Sequence, residues 1–236
     1  MALISRDFRT LKKGWLQYGS MMAGFVILGV YIFMSLRGWP RLLTIIPFGG
    51  FLFSLRFFAA FSSGLKLEGK VTKILNNLSD EYTVIQDITI PGDYLPQKIQ
   101  HIVVAPRGIF LLETRHRQGR IVSEGEYWHH YWVREHNTFA NPVIHAQNKA
   151  DKLREMLIEG SDTLGIPKDE LENMWIQPVV VFTNNKVELK VVAERVPIFK
   201  LDEFEKYIQS FKKKVALSIE DRGKLVPYII GLNLVK

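Results

Sequence analysis

A carboxylate, an amide and several cations converge around a two-residue turn in the middle of this chain. Ile99 to Ala105 and Gly108 to Arg115 both read as strands, and Pro106-Arg107 between them has the length of a tight hairpin connection. If Ala105 and Gly108 flank that loop, Gln100 lies directly opposite Glu113, and the two-residue period of a strand puts Arg115 on the same face as Glu113. A one-residue slip would move Gln100 to the other face, so the arrangement depends on register. Lys98, Arg117 and Arg120 are close in sequence and add positive charge, and Gln147 falls within the inner stripe of the helix that follows. A carboxylate joined by a second one would hold Mg²⁺ for phosphodiester hydrolysis. Cations without that second carboxylate would hold phosphate instead.

Other chemistries find little support. The six histidines, at 101, 116, 129, 130, 136 and 145, show no metal-site spacing, and His129 and His130, adjacent in a strand, point to opposite faces. There is no cysteine, hence no disulfide or thiolate metal site, and no Gly-rich phosphate loop or Ser-His-Asp arrangement. Tyr127, Trp128, Tyr131 and Trp132 read as sheet packing before they read as a base-stacking platform. Lys212-Lys213-Lys214 ends a helix, where cations offset the dipole. Each member of the central constellation also has a plain structural reading. Glu113 could pair with Arg115 or Lys98 on a solvated sheet face, and Gln147 could bond a strand-end carbonyl.

The elements that must position these residues are legible in outline. Apolar residues at helical spacing over 64–78 give a helix ending near Asn76-Asn77, and Tyr82 to Ile90 is a strand closed by Pro91-Gly92. After the hairpin come strands over 119–123 and 126–133 around Gly125, then Asn141-Pro142 opening a helix over 143–159 with Val143, Ala146, Ala150, Leu153 and Leu157 as its inner stripe. Gln177 to Phe182 is a buried strand, two short strands fit 187–192 and 196–200, Asp202 caps a helix to about Lys214, and a last helix covers 218–231. The order implies an α/β domain built on a mixed sheet.

Upstream lie two apolar stretches, Gly14 to Leu36 and Leu42 to Leu65. The first has 23 residues without a charge, at or above the ~20 a helix needs to span a bilayer. It is too long for a secretory signal. The second is interrupted by Arg56, close enough to one end to snorkel, so this span would end early in an interfacial turn carrying Phe57, Phe58 and Phe61. Arg6, Arg9, Lys12 and Lys13 before the first span and Lys66, Lys70 and Lys73 after the second outnumber Arg37 and Arg41 between them, which places both termini in the cytoplasm of a multi-pass inner-membrane protein. The expected organisation is an arm over 1–13, a two-helix transmembrane hairpin over 14–61 and a cytoplasmic domain over 62–236. The net charge of +7 tempts a nucleic-acid reading, but residues 1–61 hold 7 basic and 1 acidic residue whereas 62–236 hold 24 and 23. The excess therefore reports topology and the lipid bilayer, and a nucleic-acid partner must be argued from a local patch.

Residues 64 to 160 resemble the nuclease-related domain (NERD) family, a branch of the PD-(D/E)xK nuclease-like fold. The resemblance rests on Leu67 to Leu75, on Ile99 to Arg115 with its central Ala105-Pro106-Arg107-Gly108, on Gly119 to Ile121, on Trp128, and on Asn141-Pro142 followed by Gln147. It implies a Gly-Glu on the first helix, an Asp opening the hairpin and a Glu-x-Lys closing it. This chain has Gly69-Lys70, Gln100 and Glu113-Thr114-Arg115 at those places. Only Glu113 and Gln147 keep the family's residue types.

The departures imply a degenerate site and a pseudoenzyme. Gln100 offers a neutral carbonyl, Lys70 repels a metal ion, and Arg115 stays protonated, so it can hold a phosphate but cannot take a proton from water. No cofactor is then expected. The expected roles are DNA or RNA binding through Lys98, Arg115, Arg117 and Arg120, or an interaction and scaffold role with a second copy or a membrane-protein partner. The alternative is an active Mg²⁺-dependent endonuclease in which Glu68, Asp87 or Asp93 has joined Glu113 as a migrated ligand.

Overall fold

The computed structural model describes residues 6–35, 45–92, 95–133, 135–192, 195–211 and 217–234. The chain divides into two compact units, Ser5–Lys70 and the chain from Val71 onward. In the first unit α1 (Arg6–Ser35) is a helix of 30 residues, and α2 (Ile45–Asn76) is one of 32 whose last turns belong to the second unit. Within α1, Trp15–Ile32 is long and apolar enough to cross a membrane, and among the described residues it is the one segment that is. Its apolar side chains, Ile27, Val30 and Tyr31 among them, are exposed.

The expected two-helix hairpin is thus found only in part. Residues 36–44, which would form its turn and carry Arg37, Trp39 and Arg41, lie outside the described residues, as do the side chains of Phe57 and Phe61. The second apolar stretch does not end in an interfacial turn. It runs on as α2 into the segment expected as a separate helix from 64. The only proline of α2 sits in its first turn, where it is tolerated, and a mid-helix glycine such as Gly64 costs only about 1 kcal/mol, too little to break so long a helix.

In the second unit β1 (Thr83–Ile90), β2 (Gln97–Ala105) and β3 (Gly108–Arg115) form an antiparallel meander. The chain then makes β4 (Gly119–Val122), β5 (Tyr127–Trp132) and β6 (Glu135–Ala140) before α3 (Pro142–Glu159). Two short helices, α4 (Ser161–Leu164) and α5 (Lys168–Asn173), lead into β7 (Ile176–Phe182), followed by β8 (Val187–Lys190), β9 (Ile198–Lys200), α6 (Leu201–Ser210) and α7 (Ile219–Gly231). The strands divide into two sheets, ordered β1-β2-β3-β7-β9 and β6-β5-β4-β8. The first is mixed, because β7 runs parallel to both β3 and β9. A mixed sheet flanked by helices is what the element order implied, and it matches the PD-(D/E)xK-like arrangement that the resemblance implied.

The hairpin register is the one expected, with Ala105 opposite Gly108 and His101 opposite Leu112. Alternation along β3 sends Ile109 and Leu111 to one side, where Leu153, Leu157, Leu225 and Ile229 cover them, and Phe110 and Leu112 to the other, against Val71, Leu75, Phe204 and Ile208. Each such side chain contributes about 2 kcal/mol of apolar burial, so a slipped register is excluded energetically. Glu113 follows on the α3 side. The turn itself needs its glycine: Gly108 has φ 141, and a Cβ there would lie 2.6 Å from the Trp175 carbonyl oxygen. Gly108→Ala should cost about 2 kcal/mol in a denaturant titration, through strain and a backbone clash.

Local features depart from the sequence reading or go beyond it. β6 and the pair α4 and α5 were not legible as elements. The cap of α6 is Lys200 with the Glu203 carboxylate accepting its N–H at 2.8 Å, not Asp202, and the helix ends at Ser210, leaving Lys212 to Lys214 outside the described residues. The β1–β2 ladder is interrupted between the pairs Gln86–His101 and Ile88–Ile99, where Asp87 has φ 52.

Candidate functional site

Glu113 is buried, with 3% of its surface exposed, at the end of β3 that the ladder to β2 no longer covers. Its Oε1 accepts from Arg115 Nη2 at 2.8 Å and its Oε2 from Lys149 Nζ at 2.7 Å. Both oxygens of the carboxylate are therefore held by cations. Arg115 stands on the face that strand periodicity assigned to it. Lys149 comes from α3, whose start is fixed by Asn141: its side chain accepts from the Val143 N–H at 2.8 Å and donates to the Gly125 carbonyl at 2.9 Å, with Pro142 in the first helical position.

Gln100 has a different task from the one its register suggested. Its Oε1 accepts from the Thr114 N–H at 3.1 Å and from the Thr114 hydroxyl at 2.6 Å. The amide thus takes over a ladder bond where β2 and β3 part. Gln147 is not in the buried stripe: it is exposed and donates to Asp151 Oδ1 at 2.9 Å. The helical residue that meets Glu113 is Lys149, which sequence reasoning missed. Lys70 is exposed on α2 and belongs to the first unit, outside the site described.

The other cations have partners of their own. Lys98 pairs with Asp87 at 3.1 Å, and burial, helped by the charge of Lys149, holds its pKa below the usual lysine value. Arg117 lies 4.1 Å over the Phe139 ring with Nη1 3.3 Å from His130 Nδ1, and burial followed by repulsion from Arg115 lowers its pKa. Burial first, then the charge of Lys98, pushes His101 down to about 4. Arg115 Nε, His101 Nδ1 and, across the strands from His101, Gln86 Nε2 are buried with no hydrogen-bond partner. Arg120 sits apart on the second sheet, its guanidinium 4.8 Å from the Tyr131 ring. Of the ligands expected to migrate, Asp87 pairs with Lys98, while Asp93 and the Glu68 side chain lie outside the described residues.

A family model described as the nuclease-related domain matches residues 63–183, just over half of the chain, from within α2 to the residue after β7. The chain belongs to the nuclease-related domain family. No curated protein and no solved structure is detectably similar to it.

The Mg²⁺ that a PD-(D/E)xK-like nuclease-related domain implies does not fit the donors present. Both Glu113 oxygens and the Gln100 oxygen are already engaged by donors of the chain, and among the described residues no group of three or more His, Asp or Glu is placed to hold a metal ion. Of the four aromatic residues singled out in this nuclease-related domain, Trp128 and Tyr131 are engaged, whereas Tyr127 and Trp132 are exposed, at 59% and 44%. Trp128 is fully buried with Ile121, Val180 and Phe182. Tyr131 is stacked on His136, ring centroids 4.5 Å apart and planes within 6°, and its ring also carries the Arg120 guanidinium. For Trp128 and Tyr131 that engagement favours the packing reading over a base-stacking platform.

Proposed function

We propose that this chain is a membrane-anchored nuclease-related protein whose former catalytic site holds nucleic-acid phosphate without cleaving it. The observation that carries the reading is the occupancy of Glu113: a carboxylate clamped between Arg115 and Lys149 is a structural counter-ion, and the cations around it outnumber the carboxylates. Nothing in that arrangement activates water. Arg115 is a permanent cation, and the amide of Gln100 serves the strand junction. Lys98, Arg115 and Arg117 instead supply N–H donors for phosphate oxygens.

The anchor in this reading is a hairpin of two spans, with α1 as the first and the apolar start of α2 as the second, leaving both termini and the nuclease-related domain on the cytoplasmic side of an inner membrane. The lysine and arginine distribution supports that orientation. DNA or RNA would then be held near the bilayer.

The test is a binding titration of labelled nucleic acid against the full chain in detergent micelles at several salt concentrations. Affinity should fall steeply with salt, and reversing both Arg115→Glu and Arg117→Glu should weaken it at least about tenfold and flatten the salt slope. Retention of binding by the double reversal sinks the reading. So does Mg²⁺- or Mn²⁺-dependent cleavage that Glu113→Ala abolishes, which would restore the endonuclease alternative with a migrated ligand.

A further inference from the structure

Two histidines seven residues apart in sequence meet on the second sheet. In the β5–β6 hairpin Tyr131 pairs with His136 and His129 with Thr138, so His129 and His136 are diagonal neighbours on one face. His129 Nδ1 lies 3.0 Å from His136 Nε2. On its far side His129 Nε2 lies 3.0 Å from Glu124 Oε2. An ionised carboxylate only accepts, so Nε2 carries the proton of a neutral His129 and Nδ1 presents its lone pair towards His136. The second ring is also held in place. Tyr131 stacks on His136 with centroids 4.5 Å apart and planes within 6°, and the two imidazoles lie 5.2 Å apart with planes 20° apart. Two imidazole nitrogens bound to one metal ion at about 2.0–2.1 Å are themselves about 2.9 Å apart at a right angle and about 3.3 Å apart at the tetrahedral angle. The observed 3.0 Å falls inside that interval.

We propose that His129 and His136 form a site for a divalent cation of the Cu²⁺ or Zn²⁺ class, with Glu124 orienting His129 from behind. A carboxylate behind a metal-bound imidazole fixes its tautomer and raises its basicity. On the other ring, the Nε2 proton that bridges the pair moves through water to Nδ1 of the same imidazole, which leaves the charge of the ring unchanged. His136 is exposed, so this exchange needs no opening of the sheet. Among the described residues no third His, Asp or Glu joins the two rings as a ligand, so the remaining coordination positions belong to water. Imidazole donors select against Mg²⁺, which takes oxygen ligands, and the affinity order among first-row divalent ions favours Cu²⁺ over Zn²⁺. The site is separate from Glu113, which stands on a strand of the other sheet. A bound ion ties β6, the edge strand of the second sheet, to β5.

The experiment takes the full chain in detergent micelles, stripped of metal by a chelator, and titrates it with Cu²⁺ and separately with Zn²⁺, bound metal being read by competition with a coloured chelator. Cu²⁺ should bind stoichiometrically and Zn²⁺ more weakly, and Mg²⁺ in about thousandfold excess should displace neither. The spin-resonance spectrum of bound Cu²⁺ should carry the coupling of two imidazole nitrogens. His129→Gln and, separately, His136→Gln should each weaken binding at least about a hundredfold. Glu124→Gln should weaken it about tenfold, the low end of what losing an outer-sphere partner costs, because that carboxylate is largely exposed. His145→Gln, exposed on α3, should leave binding intact. A parent chain that binds no Cu²⁺ stoichiometrically overturns the inference, as does undiminished binding by both histidine variants or ready displacement by Mg²⁺. A Cu²⁺ spectrum of the parent without nitrogen coupling overturns it without recourse to any variant. Binding by Glu124→Gln as tight as the parent's overturns the orienting role.

Discussion

Glu113→Gln should destabilise the protein by about 3 kcal/mol, the lower end of what removing one partner of a buried ion pair costs. The substitution removes the shared negative partner of Arg115 and Lys149. Lys149 is the more enclosed of the two and suffers most, and Arg115 recovers part of its loss through solvent. The sign separates two kinds of site. In a working metal site, carboxylates repel one another in the metal-free protein, and neutralising one is harmless or stabilising. Here the carboxylate is the glue between strand and helix, so its loss should be felt as a shift of the whole unfolding transition. Lys149→Met in the same background should recover most of the loss, and the coupling between the two positions in a double-mutant cycle should exceed about 1 kcal/mol. A Glu113→Gln protein as stable as its parent in a denaturant titration would contradict the description of the triad.

That triad shows how far the sequence could be followed. The pairing of Ala105 with Gly108 follows from a two-residue loop between apolar runs, and with it the common face of Glu113 and Arg115. The helical partner did not follow. With successive residues about 100° apart around a helix, Gln147 and Lys149 flank the buried stripe at nearly equal angles of about 80° on opposite sides. Which flank meets Glu113 depends on how α3 crosses the sheet, a tertiary fact with no local signal. β6 was invisible for a different reason: Glu135 to Phe139 has no apolar alternation because this edge strand is wet on both faces. The continuous α2 had the opposite problem. A charge at Arg56 and the small residues Ala59, Ala60 and Ser62 to Gly64 resemble a boundary, yet helix propensity through them exceeds the cost of one glycine.

Acid should destabilise the protein through His101 before the carboxylates are titrated. The imidazole is 8% exposed in β2, between Gln86 on β1 and Leu112 on β3, with Lys98 the nearby cation. Its folded pKa is lowered to about 4, by burial first and Lys98 second, from an ordinary value of 6.5. A depressed folded pKa means that, between those two values, the unfolded chain binds the proton and the folded chain does not. Stability is therefore intact above pH 6.5 and falls by about 3 kcal/mol in all as pH drops to 4, at 1.36 kcal/mol for each pKa unit. His101→Leu should remove that limb, so the difference between the two proteins in unfolding free energy measured from pH 7 to pH 4 isolates it from any carboxylate contribution. A parallel pH dependence in the two proteins would show that the imidazole is not held neutral. The ranking of the causes carries a further consequence. A phosphate bound at Lys98 offsets only the second of them, so ligand should raise the folded pKa slightly and shorten the acid limb from its lower end, with its onset still near pH 6.5, whereas opening the sheet around His101 would abolish it entirely. The size of the stability loss that remains in the presence of ligand thus reports how much of the imidazole's depression comes from the nearby cation and how much from the core.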